Sequence, residues 1–299
     1  MLQRRRSALS ALAMFLMACS SQQAPPPETA QSAAAAAPAD GAAQLETVLA
    51  KQSEDTKSRY PQRHPKEMME FLGVTPGMTV VDTLPGPVWW TGILLDYLGS
   101  KGKVIDADYS AEMWTKFGNY SPDPATKKNW ATDTLAKLNA ARGPEAAQVA
   151  AFQYGSVPDD LAGTVDAILV CRALHHFMRL EDGHYLTQAL ADMNKLLKPG
   201  GIVGVEQHRA PESHPDASTK GDRGYLKQSA VIAAFQKAGF ELVDKSEINA
   251  NPKDQPSEAD IVWRLPPTLA TSQDKPELQA QLKAIGETDR MTLKFRKPS

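Results

Sequence analysis

The sequence predicts an α/β fold, doubly wound, with a mostly parallel seven-stranded sheet and an antiparallel C-terminal edge pair. Three observations predict it. Short apolar runs alternate with segments of helical period between residues 78 and 238, and that alternation implies a parallel sheet with right-handed crossovers and helices on both faces. The runs stop at Asp, Gly, Pro, Arg or His, as expected where strands give way to turns and a polar rim. The last two apolar runs have no clear crossover helix between them, so they form the antiparallel edge.

The elements follow in chain order. Arg4, Arg5 and Arg6 make a basic start, and residues 8–17 are a short apolar core, too short to span a bilayer permanently. Leu16-Met17-Ala18-Cys19 resembles the lipobox of bacterial lipoproteins. That resemblance implies a signal peptide over residues 1–18, cut before Cys19, and a lipid on Cys19. Ser20 in the next position implies an outer-membrane lipoprotein in a Gram-negative cell, facing the periplasm. Residues 19–44 are rich in Ala, Pro, Gln and Ser and read as a disordered tether, since they bury too little to offset ordering entropy. Residues 45–299 have the composition and length of one globular domain.

Within that domain, residues 64–73 predict a short helix, with Pro65 in its first turn and Gly73 at its end. Residues 78–83 are the first strand. Residues 89–98 are a helix with Ile93, Leu94 and Leu95 inward. Residues 103–107 are the second strand, with a helix from Ala111. Residues 126–142 are one amphipathic helix, with Trp130, Leu135 and Leu138 on one side. Strands follow at 149–154 and 165–171, then a helix over 182–197 stopped by Lys198-Pro199-Gly200-Gly201. The fifth strand is 202–207. A helix over 226–238 stops at Gly239, and the last strands are 241–248 and 291–295. Residues 249–290 are long and rich in proline, the character of a lid-like insert.

Composition excludes several function classes. The formal charge is −2, and −5 once the three signal arginines are gone. No basic stripe is present, which argues against nucleic acid. No later segment is long and apolar enough to cross a membrane, so the lipid is the expected membrane contact. With Cys19 lipidated, Cys171 has no partner for a disulfide. Glu206, His208, Glu212 and His214 match no compact metal-ligand spacing, so no metal is expected.

Ligands of open α/β sheets bind beyond the C-terminal strand ends, at the switch in strand order. That places Asp82, Pro85 and Gly86 after strand one, Asp106 and Asp108 after strand two, and Gly155 and Ser156 after strand three. Arg172, His175 and His176 follow strand four, and Glu206, His208 and Arg209 follow strand five. The segments RHPKEMMEFLGVTPGMTVVDTLPG, LVCRALHHFM, LKPGGIVGVEQHRAP, AAFQKAGFELV and TDRMTLKFRKP, in that order over nearly the whole folded part, resemble class I S-adenosylmethionine-dependent methyltransferases. The resemblance is to a bacterial group of predicted methyltransferases, often exported.

The resemblance implies a Rossmann-like sheet, S-adenosylmethionine as cofactor and a small-molecule acceptor. It implies cofactor contacts from Asp82, Pro85, Gly86, Trp90, Thr91, Asp108, Gly155 and Ser156. Asp108 is the expected ribose carboxylate, with Asp106 as the alternative. It implies His175 as proton acceptor and Arg172 as the group that orients an anionic acceptor or pairs with Asp166 or a lid acid. Arg63 and His64 are expected to close over the cofactor. Trp89 and Trp90 either stack on adenine or, for one of the two, join the core. One departure stands out. The family loop carries small residues where this chain has Pro87 and Val88; the first removes an N–H donor and the second adds a branched side chain. The departure makes a non-catalytic binding protein with a degenerate methyltransferase fold the alternative reading.

Overall fold

The computed structural model describes residues 39–299. The signal segment, Cys19 and the tether up to residue 38 lie outside the described residues. The strands are β1 (Thr79–Thr83), β2 (Lys103–Asp108), β3 (Gln148–Gln153), β4 (Val165–Cys171), β5 (Leu197–Ala210), β6 (Leu226–Lys227), β7 (Glu241–Ser246) and β8 (Arg290–Arg296). They form one sheet of order β3-β2-β1-β4-β5-β8-β7, with the two-residue β6 beside the end of β5. Pairing is parallel from β3 to β5 and antiparallel for β5–β8 and β8–β7. The expected doubly wound sheet and its edge pair are both present, with β6 as an eighth strand. The strand order reverses between β1 and β4, so the crevice lies over their C-terminal ends.

Alternate residues along the central strands feed two cores. Val81, Ile105, Ile168 and Val170 pack with the helices Leu174–Arg179, Tyr185–Leu196 and Gln228–Lys237. Val80, Val104, Ala167 and Leu169 pack on the other face with Ala39–Lys51, Pro65–Leu72 and Trp89–Leu98. A strand buried on both faces carries apolar residues at nearly every position, which is why residues 165–171 were recognisable as one.

Four elements differ from expectation. Ala39–Lys51 is a helix, with Leu45, Val48 and Leu49 buried against the second core, so residues 39–44 belong to it and not to a tether. Residues 126–142 are two helices, Pro124–Lys128 and Trp130–Ala141, broken at Asn129. β5 begins at Leu197 because Leu197 pairs with Val165 across a bulge. The insert holds the helix Pro276–Ile285 and a short turn, Val262–Arg264.

Candidate active site

Two cavities meet at the switch point. The first, about 410 Å³, lies between the loop after β1 and the end of β2, against Pro85, Gly86, Asp106, Asp108 and Lys127. The second, about 260 Å³, lies over the end of β4, against Arg172, His175, His176, His208 and Trp263. Leu84 lines both.

The loop after β1 turns by placing alternate residues in the left-handed region: Leu84 at φ 57°, Gly86 at φ 54° and Val88 at φ 56°. Only glycine does this freely. A Cβ on Gly86 would meet nothing nearer than the Leu84 carbonyl at 3.9 Å, so backbone angle, and not space, asks for glycine there. Val88 is branched and 42% exposed, so little packing offsets a strain of about 1–2 kcal/mol. Val88→Gly is therefore expected to raise the melting temperature by a few degrees, about 1 kcal/mol, measured by thermal denaturation. A lower value would show that the valine side chain contributes more than its backbone costs.

Behind the loop, Asp82 and Asp106 are buried beside each other across the β1–β2 register. Thr91 joins them: its hydroxyl lies 2.9 Å from Asp82 Oδ2 and 2.7 Å from Asp106 Oδ1, and its N–H donates to Asp82 Oδ2 at 3.1 Å. A hydroxyl has one proton to give, so one of the two carboxyls must donate to it. Burial first, and the neighbouring carboxylate second, push Asp82 up to about 8. Burial pushes Asp106 up to about 6 against the Thr91 hydrogen bond. The pair thus shares a proton near neutrality. Asp82 and Thr91 hold the loop and line neither cavity.

Asp108 reaches the first cavity with its carboxylate already engaged. Oδ1 accepts from Tyr109 N–H at 2.8 Å, and Oδ2 from Trp114 Nε1 at 3.1 Å and Lys127 Nζ at 2.7 Å. Burial raises its pKa, and Lys127 works against that. Lys127 also lies 4.1 Å from the centre of the Trp114 ring. It is placed by the helix Pro124–Lys128, which starts on Pro124 with Asp123 accepting from Ala125 N–H at 2.9 Å.

The second cavity is built around His175, which is 3% exposed. Gln207 fixes its tautomer. Gln207 Nε2 donates to the Gly224 carbonyl at 2.9 Å, which turns Oε1 toward His175, where it accepts from the backbone N–H at 3.3 Å. His175 Nδ1, also 3.3 Å from Oε1, is therefore the protonated nitrogen. Nε2 is left with a free lone pair and no protein partner among the described residues. Burial, with Arg179 and Arg172 nearby, lowers its pKa to about 4 against the Gln207 hydrogen bond. Burial and His175 lower His176 to about 2, and burial with His175 and Arg290 holds His208 well below its usual range. All three imidazoles are neutral at pH 7. Gly221 lets the neighbouring loop reach this point: a Cβ there would stand 2.3 Å from the His175 carbonyl oxygen.

Under this cavity lies an unequal set of charges. Arg59 bonds to Glu287, and Arg290 binds Glu287 at 2.6 Å and lies 2.8 Å from Glu206. The Arg172 backbone N–H donates to the Glu206 carbonyl at 2.6 Å, but its guanidinium stays 4.0 Å from the Glu206 carboxylate, and its Nε has no hydrogen-bond partner. Arg63 Nε is likewise buried without a partner. Its guanidinium lies 4.5 Å from the centre of the Trp89 ring. Burial, Arg172 and Arg59 lower its pKa to about 10, with Glu206 and Glu287 opposing. Burial acts to raise Glu287, yet Arg290, Arg59 and Arg172 hold it below the usual range. Asp166 takes no part in this set; it binds Lys198 at 2.5 Å.

The remaining expected residues fall elsewhere. Trp90 is 4% exposed and stands edge-on to Trp89 at 4.8 Å, inside the second core. Trp89 donates to the Thr56 carbonyl at 3.2 Å. Neither indole lines the two cavities. Gly155 and Ser156 line a third cavity of about 340 Å³, which shares no lining residue with the first; Gly155 N–H is held by Asp192 at 2.6 Å. His64 faces a separate groove beside Tyr60 and Lys66. Glu212 is engaged by Ser229. Lys127, Gln207 and Trp263, which carry much of the geometry, were not anticipated. One of two adjacent lysines in a DPATKK segment and a tryptophan in an insert have no motif around them.

No protein-family model matches the sequence, and no curated protein matches it. Solved structures with a similar course of the chain exist. The cyclase SpnF is 16% identical over 79% of this chain and 80% of its own, with a TM-score of 0.49. A SAM dependent methyltransferase from Aquifex aeolicus is 18% identical over 69% and 93%, at 0.45. A geranyl diphosphate C-methyltransferase from Streptomyces coelicolor, in complex with S-adenosyl-L-homocysteine, is 12% identical over 84% and 87%, at 0.47. All three scores are below one half, and no activity is carried over from them.

Proposed function

We propose that this protein is an S-adenosylmethionine-dependent methyltransferase acting on a small acceptor, anchored in the cell envelope through Cys19. The observation that carries the reading is that two cavities at the β1–β4 switch share Leu84: Asp108, at the end of β2, lines one, and His175, whose Nε2 is buried without a partner, lines the other. The chain's own groups fit the cofactor at the first cavity. Asp106 Oδ2 is buried without a partner. No side chain caps the helix Trp89–Leu98, and its N-cap residue Val88 lines the cavity, so a carboxylate there would lie at the helix's N-terminal end. Asp108 would take the ribose hydroxyls, and Pro85 and Gly86 would flank the amino-acid part.

When bound, the cofactor supplies an electrophilic methyl on sulfur. The protein does the rest. Leu84 borders both cavities. His175 Nε2 accepts the acceptor's proton, in the tautomer that Gln207 imposes. Trp263 and the insert shield the site from water. Alignment of nucleophile, carbon and sulfur provides most of the expected rate.

Calorimetric titration of the full chain with S-adenosylhomocysteine tests this. Binding near micromolar supports the enzyme; no heat at millimolar removes it. A specific observation favours the non-catalytic reading: Lys127 and Trp114 already fill much of the Asp108 carboxylate. The envelope location has its own check, since Cys19→Ser is expected to move the protein from the membrane pellet to the soluble fraction.

A further inference from the structure

We infer that the second cavity takes a small aromatic acid bearing a hydroxyl, its carboxylate on Arg172 and its hydroxyl on His175 Nε2. This rests on the methyltransferase reading and names the class of its acceptor. Four guanidinium groups, of Arg59, Arg63, Arg172 and Arg290, face only two carboxylates, Glu206 and Glu287. The two without a close acid are Arg63 and Arg172, and Arg172 is the one that lines the cavity. The Arg172 side chain is 23% exposed, with its Nε buried and unpartnered, and a ligand carboxylate supplies a close charge and two acceptor oxygens.

The walls fix the rest of the ligand. Trp263 is tilted 23° from His176 at a ring separation of 6.4 Å, and Val262, Pro266, Pro267 and Leu84 form the apolar part of a wall that also includes Glu287, itself bound by Arg290 and Arg59. The volume, about 260 Å³, is below the roughly 300 Å³ at which drug-sized pockets begin, so the cavity suits a single ring. His175 Nε2 is a buried acceptor that needs a donor, which a hydroxyl provides. In the transfer, the acceptor's O–H bond breaks and its oxygen forms a bond to the methyl carbon. The electron pair of the C–S bond stays on sulfur, and the proton ends on His175 Nε2.

The test is calorimetry on the full chain with 4-hydroxybenzoate, against the neutral 4-hydroxybenzamide, each with and without saturating S-adenosylhomocysteine. The acid is expected to bind at least tenfold tighter than the amide, with S-adenosylhomocysteine leaving its affinity intact. Arg172→Gln should erase the preference for the acid, and Arg172→Lys should keep part of it. Equal binding of acid and amide to the wild-type protein overturns the inference, whatever the variants do. Displacement of the acid by S-adenosylhomocysteine also overturns it, by assigning Arg172 to the cofactor's own carboxylate. If S-adenosylhomocysteine fails to bind while the acid still beats the amide, the anion site stands and the methyltransferase reading falls.

Discussion

Asp108→Ala is expected to weaken S-adenosylhomocysteine binding by at least about 100-fold, and Lys127→Met to strengthen it. The carboxylate is 2% exposed, and hydrogen bonds to a buried charge are worth about 1.5–3 kcal/mol each. Two ribose hydroxyls on it therefore amount to roughly 3 kcal/mol or more, about two decades in affinity. Lys127 Nζ at 2.7 Å and Trp114 Nε1 at 3.1 Å already occupy Oδ2, so a ribose must displace Lys127 or share with it. Methionine keeps the apolar stem over Trp114 and removes the competing ammonium. Titration of both variants reads the outcome. If Lys127→Met loses affinity as Asp108→Ala does, the lysine is a ligand contact and not a competitor, and the alternative of a closed, non-catalytic pocket loses its main support.

The contrast between Asp108 and Lys127 also shows what a sequence makes legible. Local pattern placed Asp108 correctly, because a strand that ends in an acid before a turn puts that acid on the rim. The strand 165–171 and the helix 89–98 were read to the residue for the same reason: their apolar period is contained within them. What escaped was set by distant partners. Leu197 is in a strand because Val165 pairs with it. Lys127 matters because Asp108, nineteen residues earlier, faces it. Gln207 looked like any strand-end amide, yet it decides which nitrogen of His175 carries the proton. Two misses did have a signal. Leu45, Val48 and Leu49 have helical spacing directly after the residues expected as tether, and their helix begins at Ala39. Leu278, Leu282 and Ile285 have it behind Pro276, the residue that starts the insert's helix.

The shared proton of Asp82 and Asp106 predicts an unusual pH dependence of stability. In the unfolded chain both carboxyls ionise near about 3.9, but in the fold Asp106 holds its proton to about 6 and Asp82 to about 8. Between these limits the folded state binds more protons than the unfolded one, so these groups make stability fall as pH rises. His175 and His176 act oppositely: they stay neutral in the fold down to about 4 and about 2, while the unfolded imidazoles gain protons below about 6.5. Their contribution makes stability rise with pH up to that point and then stops. From about 6.5 to 8 the histidines no longer oppose it, and Asp82 contributes a descent of up to about 1.4 kcal/mol per pH unit. Asp82→Asn keeps an acceptor for Thr91 and carries no charge at any pH. It should flatten the descent and raise the melting temperature at pH 8 by roughly 4–8 °C. Thermal melts of both proteins across that window decide it. Parallel curves would mean that the carboxyls stay ionised in the fold, and that Thr91 bridges them some other way than by a shared proton.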